Sequence, residues 1–329
     1  MAGAGWVIPT RARPLFWLKE SSIRAFTIRR MNASSPVSGW RRWWLGVRPA
    51  TLGLSLVPVF LGTALGIHLG AVPSLPSLLL ACGCVLGIQA GTNLFNDAGD
   101  GARGVDGPER LGPQRLVGSG LATVAEVRRA AWLCFGLALL GGLVLARLHG
   151  SVIIAIGLAS LLAGWLYSAG PRPLSHSPWG ESVVLLFFGL VAVSGSCFLQ
   201  TGRFSALSLL FGIVPGVHSA AVLLVNNTRD LVQDRAAGRI TLASLLGERR
   251  ARWLYTGLIL LPFALLPLLG MALSQPLVGI APLVLLPLAV LAIRHFAVRQ
   301  GRVLNLQLKE TARLQALLCA VLVFCLLWG

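Results

Sequence analysis

Long apolar stretches, interrupted by short polar segments, occupy the chain from about residue 50 to its end. A helix that crosses a bilayer needs roughly 20 predominantly apolar residues, and nine stretches approach that length. They lie at about 51–69, 74–96, 125–147, 151–168, 182–200, 205–226, 252–273, 277–294 and 312–328. The pattern predicts an all-α, polytopic membrane protein, built as a bundle of about nine transmembrane helices.

The composition agrees with this prediction. Hydrophobic residues make up 55% of the 329 residues and charged residues only 12%, with a mean hydropathy of +0.77. A soluble domain carries about 25% charged residues. The six cysteines all lie in apolar stretches, where we expect small packing residues rather than a disulfide framework or a metal site.

The basic residues are distributed unevenly between the two sides of the predicted bundle. If the N-terminus is cytoplasmic, all but two of the 28 Lys and Arg residues, Arg147 and Arg203, fall on the cytoplasmic side. This bias follows the positive-inside rule and predicts a multi-pass protein of the bacterial plasma (inner) membrane. The formal charge of +17 is spread over loops beside anionic headgroups. The sequence also has no DNA-binding motif. The charge distribution therefore predicts a lipid bilayer as the partner, and no nucleic acid.

Residues 1–40 differ from the rest of the chain, because they are rich in arginine and hold a single acid, Glu20. A second methionine follows at Met31. Three interpretations remain open: an upstream start or disordered tail, a basic segment lying on the bilayer, and an organellar transit peptide. We therefore predict two parts, a basic extension over 1–40 and a membrane domain over 41–329.

The first acidic cluster lies in "NLFNDAGDGARGVD", residues 93–106, at the end of the second apolar stretch. The chain has only 11 acids, yet Asp97, Asp100 and Asp106 fall within ten positions. On a helix, Asn93, Asp97 and Asp100 share an arc of about 60°, so that they point the same way. Ionisable residues at membrane depth are rare and usually functional.

A second acidic cluster follows the sixth apolar stretch in "NNTRDLVQDRAAGRITLASLLG", residues 226–247. There Asn226, Asn227, Asp230 and Asp234 share an arc of about 100° on a helix. Both clusters end even-numbered helices, so the topology places both at the cytoplasmic face. Two unit charges 4 Å apart repel by about 4 kcal/mol even at an effective dielectric of 20, so a cation is needed to hold them together.

The chemistry of the two clusters fits a magnesium-bound diphosphate. Mg²⁺ takes hard oxygen ligands, usually one or two carboxylates together with phosphate oxygens and waters. Interleaved arginines add bidentate phosphate donors. These are Arg103, Arg110, Arg115, Arg229, Arg235 and Arg239. A diphosphate head in this cage and an apolar tail among the helices describe an amphipathic substrate.

At these residues the chain resembles the UbiA superfamily of intramembrane prenyltransferases. The resemblance covers about residues 41–329 and includes "RPATLGLSLVPVFLGTALG", "NLFNDAGDGARGVDGPERLGPQRLVGSG", "YSAGPRPLSHSPWGE" and "NNTRDLVQDRAAGRITLASLLG". The first motif and its "GPERLGP" continuation favour the branch that acts on 1,4-dihydroxy-2-naphthoate. Arg239, where many relatives have lysine, keeps the charge, whereas Arg172, where an uncharged residue is common, bears on the identity of the acceptor.

The resemblance implies a reaction and a set of site residues. Mg²⁺ would connect Asp97, Asp100, Asp230 and Asp234 to the diphosphate of a polyprenyl donor. Asn93, Asn96, Asn226 and Asn227 would supply neutral ligands or orient the carboxylates. The allylic C–O bond would ionise, and an aromatic carbon of the dihydroxynaphthoate would capture the cation with loss of CO₂. The product would be demethylmenaquinone, an intermediate of menaquinone biosynthesis.

Three further residues have two open interpretations each. Tyr167 either stabilises the cation or acceptor, or anchors the helix at the interface. Arg48 either faces the pocket or extends to the headgroups, and Asp106 orients either the loop or the acceptor.

Two other functions compete with the one implied. The first is a prenyltransferase for another acceptor, such as 4-hydroxybenzoate. The second is a membrane transporter, in which intramembrane acids also occur. The acids of a transporter usually lie near mid-bilayer, however, whereas both clusters here end helices on one face. The sequence therefore favours the enzyme.

Overall fold

The computed structural model describes residues 39–104 and 110–329, and within these ranges all regular structure is helical. The helices, numbered in chain order, are α1 (Trp40–Val47), α2 (Pro49–His68), α3 (Leu75–Ala102), α4 (Val124–His149), α5 (Val152–Ser168), α6 (Gly180–Thr201), α7 (Ala206–Arg229), α8 (Leu231–Ala236), α9 (Leu242–Ala272), α10 (Pro276–Val298) and α11 (Leu304–Trp328). Eight of these described helices are long and apolar enough to span a membrane, and α5 is a ninth apolar helix of 17 residues. The prediction of a multi-pass helical membrane protein is confirmed.

The contacts divide the chain after Arg41 into two units, and the second, Arg42–Gly329, holds α2 to α11. Of the predicted extension over 1–40, residues 1–38 lie outside the described ranges. The boundary between the extension and the membrane domain therefore stays a prediction.

Polar side chains at the ends of the apolar stretches begin several helices. The Ser74 hydroxyl accepts from the backbone N–H of Ser77 at the start of α3. Thr123 and Glu126 form a reciprocal capping box at the start of α4, and Thr241 caps α9. These side chains accept hydrogen bonds from the first backbone N–H groups of each helix, which have no partner within the helix. The helices therefore begin where the sequence supplies a capping hydroxyl.

Helix α7 is the central helix of the membrane domain, with 78% of its membrane-spanning window buried. Gly189 of α6 packs directly on α7, because a Cβ there would lie 2.4 Å from the carbonyl oxygen of Gly212. On the other side, a Cβ at Gly216 would lie 2.8 Å from the carbonyl oxygen of Leu185 in α6. Small residues let membrane helices approach at backbone distance. This approach places the end of α7, with its acidic cluster, beside α6.

Helices α3, α9 and α11 all extend further than the apolar pattern predicts. Helix α3 continues to Ala102, so Asn93, Asp97 and Asp100 of the first cluster lie in its last turns. Helix α11 starts at Leu304 rather than near residue 312. Its first turns carry polar residues that are paired inside the bundle: Gln307 donates to the Tyr255 hydroxyl at 2.8 Å, and Thr311 lies 2.7 Å from the same hydroxyl. An apolar window cannot detect a buried polar turn of this kind.

Candidate active site

A cavity of about 980 Å³ runs through the bundle between α2–α7 and α11. One end is polar and includes Asp100, Asp230 and Asp234, whereas the other is apolar and is lined by Ala81 and Leu145. Along α3 the lining extends from Ala81 to Asp100, a separation of 19 residues or about 28 Å at the rise of an α-helix. The cavity is therefore almost as long as the hydrocarbon core is thick, about 30 Å.

The two acidic clusters meet at the polar end of this cavity. The Arg239 guanidinium contacts Asp100 of the first cluster at 2.7 Å (Nη2 to Oδ1). It also contacts Asp234 of the second cluster at 3.5 Å (Nη1 to Oδ1). One side chain therefore joins carboxylates that lie on different helices and far apart in the chain. The convergence that the topology predicts is present.

Asp100 is a buried carboxylate surrounded by cations. Besides Arg239, it accepts from Arg103 Nη2 at 3.0 Å and from the buried Arg115 Nη2 at 3.1 Å. His176 Nε2 lies 3.7 Å from Asp100 Oδ1, and its backbone carbonyl accepts from Ile240 beyond the second cluster. His176 was not among the predicted site residues, because only tertiary contacts bring it beside Asp100.

The second cluster is organised by Arg229 and Arg239. Arg229 Nε donates to Asp230 Oδ1 at 2.7 Å, and its Nη2 donates to Asn226 Oδ1 at 2.9 Å. Burial, together with the charges of Asp230 and Asp100, raises the pKa of Asp234 to about 6, although Arg239 acts in the opposite direction. The raised pKa shows that the desolvation of this carboxylate outweighs its single arginine partner.

Asp97 lies away from the cavity, in contrast to Asp100, so its expected metal-binding role stays a prediction. It is 1% exposed and does not line the cavity. Its two oxygens accept the backbone N–H groups of Leu116 (2.8 Å) and Val117 (3.1 Å). On the shared arc of α3, Asp97 occupies the edge that faces this segment, whereas Asp100 and Asn96 face the cavity.

Arg235 also departs from the expectation that it binds substrate. It is exposed, it does not line the cavity, and its Nη2 donates to the backbone carbonyl of Ser244 at 2.9 Å. Arg103 contacts Asp100 but likewise lies outside the cavity lining. Asp106, the third predicted acid of the first cluster, lies outside the described residues.

The asparagines of the first cluster line the cavity and already have partners. Asn93 Nδ2 donates to the carbonyl oxygen of Val47 at 2.9 Å, which ties α3 to the junction of α1 and α2. Asn96 Oδ1 accepts from Arg115 at 2.6 Å and from Arg48 at 3.3 Å. Arg48 has a left-handed backbone (φ 57°), a conformation that is costly for a non-glycine residue and common at functional sites.

Asn227 and Tyr167 complete the predicted set. Asn227 lines the cavity and donates from Nδ2 to Glu181 Oε1 at 2.9 Å, and both residues are buried. The sequence analysis did not include Glu181 among the site residues. Tyr167 lines the cavity near the end of α5. The structure thus places an aromatic ring in the cavity wall, in keeping with a role beyond anchoring at the interface.

Fold and site together define an integral membrane protein with a long cavity that is polar at one end and apolar at the other. The family model for the UbiA prenyltransferase family matches residues 55–309. The chain belongs to the UbiA prenyltransferase family and is a multi-pass membrane prenyltransferase.

Curated relatives support the same family. The chain is 39% identical over 266 residues to the 1,4-dihydroxy-2-naphthoate octaprenyltransferase of Mycobacterium tuberculosis, covering 81% of this chain and 89% of that one. It is 33% identical to the Escherichia coli protein of the same name, covering 79% and 86%.

Among solved structures, a UbiA homolog from Archaeoglobus fulgidus bound to DMAPP and Mg²⁺ superimposes with a TM-score of 0.62 at 17% identity, covering 87% of this chain and 99% of that one. The apo structure of a UbiA homolog from Aeropyrum pernix K1 gives 0.66 at 16% identity, covering 84% and 98%. At these identities the likeness shows the shared fold.

Proposed function

We propose that the protein transfers a polyprenyl group from polyprenyl diphosphate to 1,4-dihydroxy-2-naphthoate in a Mg²⁺-dependent reaction that yields demethylmenaquinone, CO₂ and diphosphate. The observation that carries this proposal is the contact of Arg239 with both Asp100 and Asp234 at the polar end of a long apolar cavity. That arrangement offers a head site and a tail site in one continuous space.

The charge of the polar end favours a polyanionic ligand. Among the described residues that line the cavity, three carboxylates face six basic side chains. The basic residues are Arg48, Arg110, Arg115, Arg229, Arg239 and Lys309. The difference, six minus three, leaves a formal charge of +3, which a neutral or cationic ligand would not compensate. Guanidinium groups bind phosphate oxygens in pairs, so a diphosphate suits this lining.

The oxygen donors at this end fit Mg²⁺ that arrives with the diphosphate. Within the described ranges, no three His, Cys, Asp or Glu side chains form a ready-made metal cluster. Mg²⁺ does not require one, because it commonly uses one or two carboxylates and completes its shell with substrate phosphates and waters. Asp100 with Asn96 would hold it on one side, and Asp230 and Asp234 with Asn226 on the other. Held by these residues, Mg²⁺ would supply positive charge that stabilises the departing diphosphate.

Side chains of the cavity would assist both the cleavage of the donor and the capture of the allylic cation. The allylic C–O bond breaks with its electron pair leaving on the diphosphate, and Arg115, Arg229 and Arg239 stabilise that charge where it develops. The ring of Tyr167 faces a cavity in which an allylic cation would form, and aromatic faces attract cations. An aromatic carbon of the acceptor forms the new C–C bond, and its carboxylate leaves as CO₂.

The choice of acceptor rests on the relatives, which are named for 1,4-dihydroxy-2-naphthoate. The alternative is another aromatic acceptor such as 4-hydroxybenzoate, which would use the same head and tail sites. The distribution of Lys and Arg in the sequence supports a cytoplasmic N-terminus, with both acidic clusters at the cytoplasmic face of a bacterial inner membrane.

Purified protein in detergent tests this proposal directly. It is mixed with either acceptor and with prenyl diphosphates of several lengths, with Mg²⁺ or with EDTA, and the products are identified by mass spectrometry. We expect a prenylated, decarboxylated naphthoate product only with Mg²⁺. Because detergent micelles have no compartments, product formation would exclude transport as the activity. Prenylation of hydroxybenzoate alone would move the assignment to the alternative acceptor, and no product with any pair would refute it.

A further inference from the structure

The start of α11 contributes one side chain, Asn305, that bonds to both halves of the active site. Its Oδ1 accepts from Arg229 Nη1 at 2.7 Å, and its Nδ2 donates to the carbonyl oxygen of Leu111 at 2.9 Å. Leu111 belongs to the segment that follows the first cluster, and Arg229 belongs to the second cluster. Asn305 also lines the cavity itself.

Arg229 depends on its partners for its orientation. It is 4% exposed and donates to Asp230 and Asn226 as well as to Asn305. A buried guanidinium that loses a partner carries a desolvation cost, so it will move toward another acceptor. Any movement of Arg229 carries Asp230 with it, because Arg229 holds that carboxylate through Nε and Nη2.

The segment after the first cluster lies directly against the same guanidinium. A Cβ on Gly112 would lie 2.8 Å from Arg229 Nη2 and 3.2 Å from its Cζ, so a larger residue there would require the guanidinium to shift. Asn305 holds the neighbouring carbonyl of Leu111, and it therefore fixes the distance between this segment and Arg229. Both polar groups of the Asn305 side chain are used inside the site.

We infer that Asn305 is a positioning residue that holds Arg229, and through it Asp230, in the geometry that receives the magnesium–diphosphate head. This inference rests on the proposed function, because it concerns the head site of the same substrate. A residue that merely packs at the start of α11 would affect thermal stability. Replacing a positioning residue would also raise the concentration of Mg²⁺ or diphosphate that the site requires.

The test uses the full chain in detergent with the variants Asn305→Ala, Asn305→Asp and Gly112→Ala. Leu306→Ala is the matched control, because Leu306 is 52% exposed on the same turn and does not line the cavity. Asn305→Asp keeps an acceptor for Arg229 but loses the donor to Leu111, which separates the two bonds. The first readout is the rise in melting temperature caused by Mg²⁺ with inorganic diphosphate, and the second is the Mg²⁺ dependence of prenyl transfer.

Asn305→Ala loses a hydrogen bond to a charged group. The concentration of Mg²⁺ with diphosphate that gives half-saturation should therefore rise roughly tenfold or more. Gly112→Ala should shift it in the same direction, and Leu306→Ala should not. Folded Asn305→Ala and Gly112→Ala proteins with wild-type half-saturation would overturn the inference. If Asn305→Ala does not fold, Gly112→Ala decides alone. If the wild type binds Mg²⁺ with diphosphate but prenylates no acceptor, the proposed function fails while the binding comparison still tests Asn305.

Discussion

Replacing Asp97 should separate folding from catalysis, because the structure gives this carboxylate a different task from Asp100 three positions later. Asp97 accepts two backbone N–H groups, from Leu116 and Val117, in a fully buried position. Asp97→Asn keeps the shape of the side chain. It replaces one accepting oxygen by an NH₂ group that faces a backbone donor.

The magnitude follows from the bonds that are lost. A hydrogen bond to a charged group contributes about 1.5–3 kcal/mol, and a buried donor left without an acceptor costs a similar amount. We therefore expect Asp97→Asn to lower the free energy of unfolding by about 2–4 kcal/mol. The segment it anchors includes Arg115, which bonds to Asp100. At temperatures where the variant is folded, the rate constant of prenyl transfer should fall by less than roughly tenfold, because the bond between Arg115 and Asp100 is kept.

The assay compares apparent melting temperature in detergent with the Mg²⁺ dependence of prenyl transfer at a temperature well below both transitions. Asp97→Asn should melt several degrees below wild type and keep the wild-type Mg²⁺ half-saturation. If Asp97→Asn melts like the wild type yet loses all Mg²⁺-dependent turnover, Asp97 binds the metal ion, and our interpretation of its geometry is wrong.

Three other substitutions give separate tests of the site. Asp100→Asn should lower turnover by at least roughly 100-fold in a folded protein, since it removes the carboxylate on which three arginines converge; turnover near wild type would contradict its role. Arg239→Ala should raise the KM for the prenyl diphosphate, whereas Arg235→Ala, outside the cavity, should not; equal effects in steady-state kinetics would argue against the site. Gly157→Leu places a side chain in open space on the cavity wall. It should slow transfer from long prenyl diphosphates but not from geranyl diphosphate, and the lipid-facing Gly136→Leu serves as the control.

The apolar pattern located the membrane helices of the described residues but misjudged several of their ends, and the start of α11 shows a physical reason. Hydropathy detects residues that face lipid or an apolar core, and the first turns of α11 face neither. Gln307 and Thr311 bond to Tyr255 inside the bundle, so a polar sequence forms a buried helix. The pairing partner lies on α9, far away in the chain, and no local pattern records it.

The acidic spacing shows the same limit at the scale of single side chains. Asp97 and Asp100 share one arc of α3, and periodicity assigns them the same surroundings. What separates them is the course of the chain after α3, which returns to present two backbone N–H groups to Asp97. His176 and Asn305 were missed because each reaches the site by tertiary contact alone, from a short turn and from the start of the last long helix.

The repulsion among the clustered carboxylates, which indicated a bound cation in the sequence, is met in the structure by arginines. Asp100 and Asp230 each bond to guanidinium groups, and Arg229 is too deeply buried to lose its partner without cost. A ligand that binds among these groups replaces ion pairs between the carboxylates and the arginines. The carboxylates must then gain a new cation while the arginines gain a new anion. A diphosphate that carries Mg²⁺ would supply both at once. A lone cation would satisfy the carboxylates and leave the arginines without an anion, which supports the proposed metal-bound diphosphate over the cargo of a cation transporter.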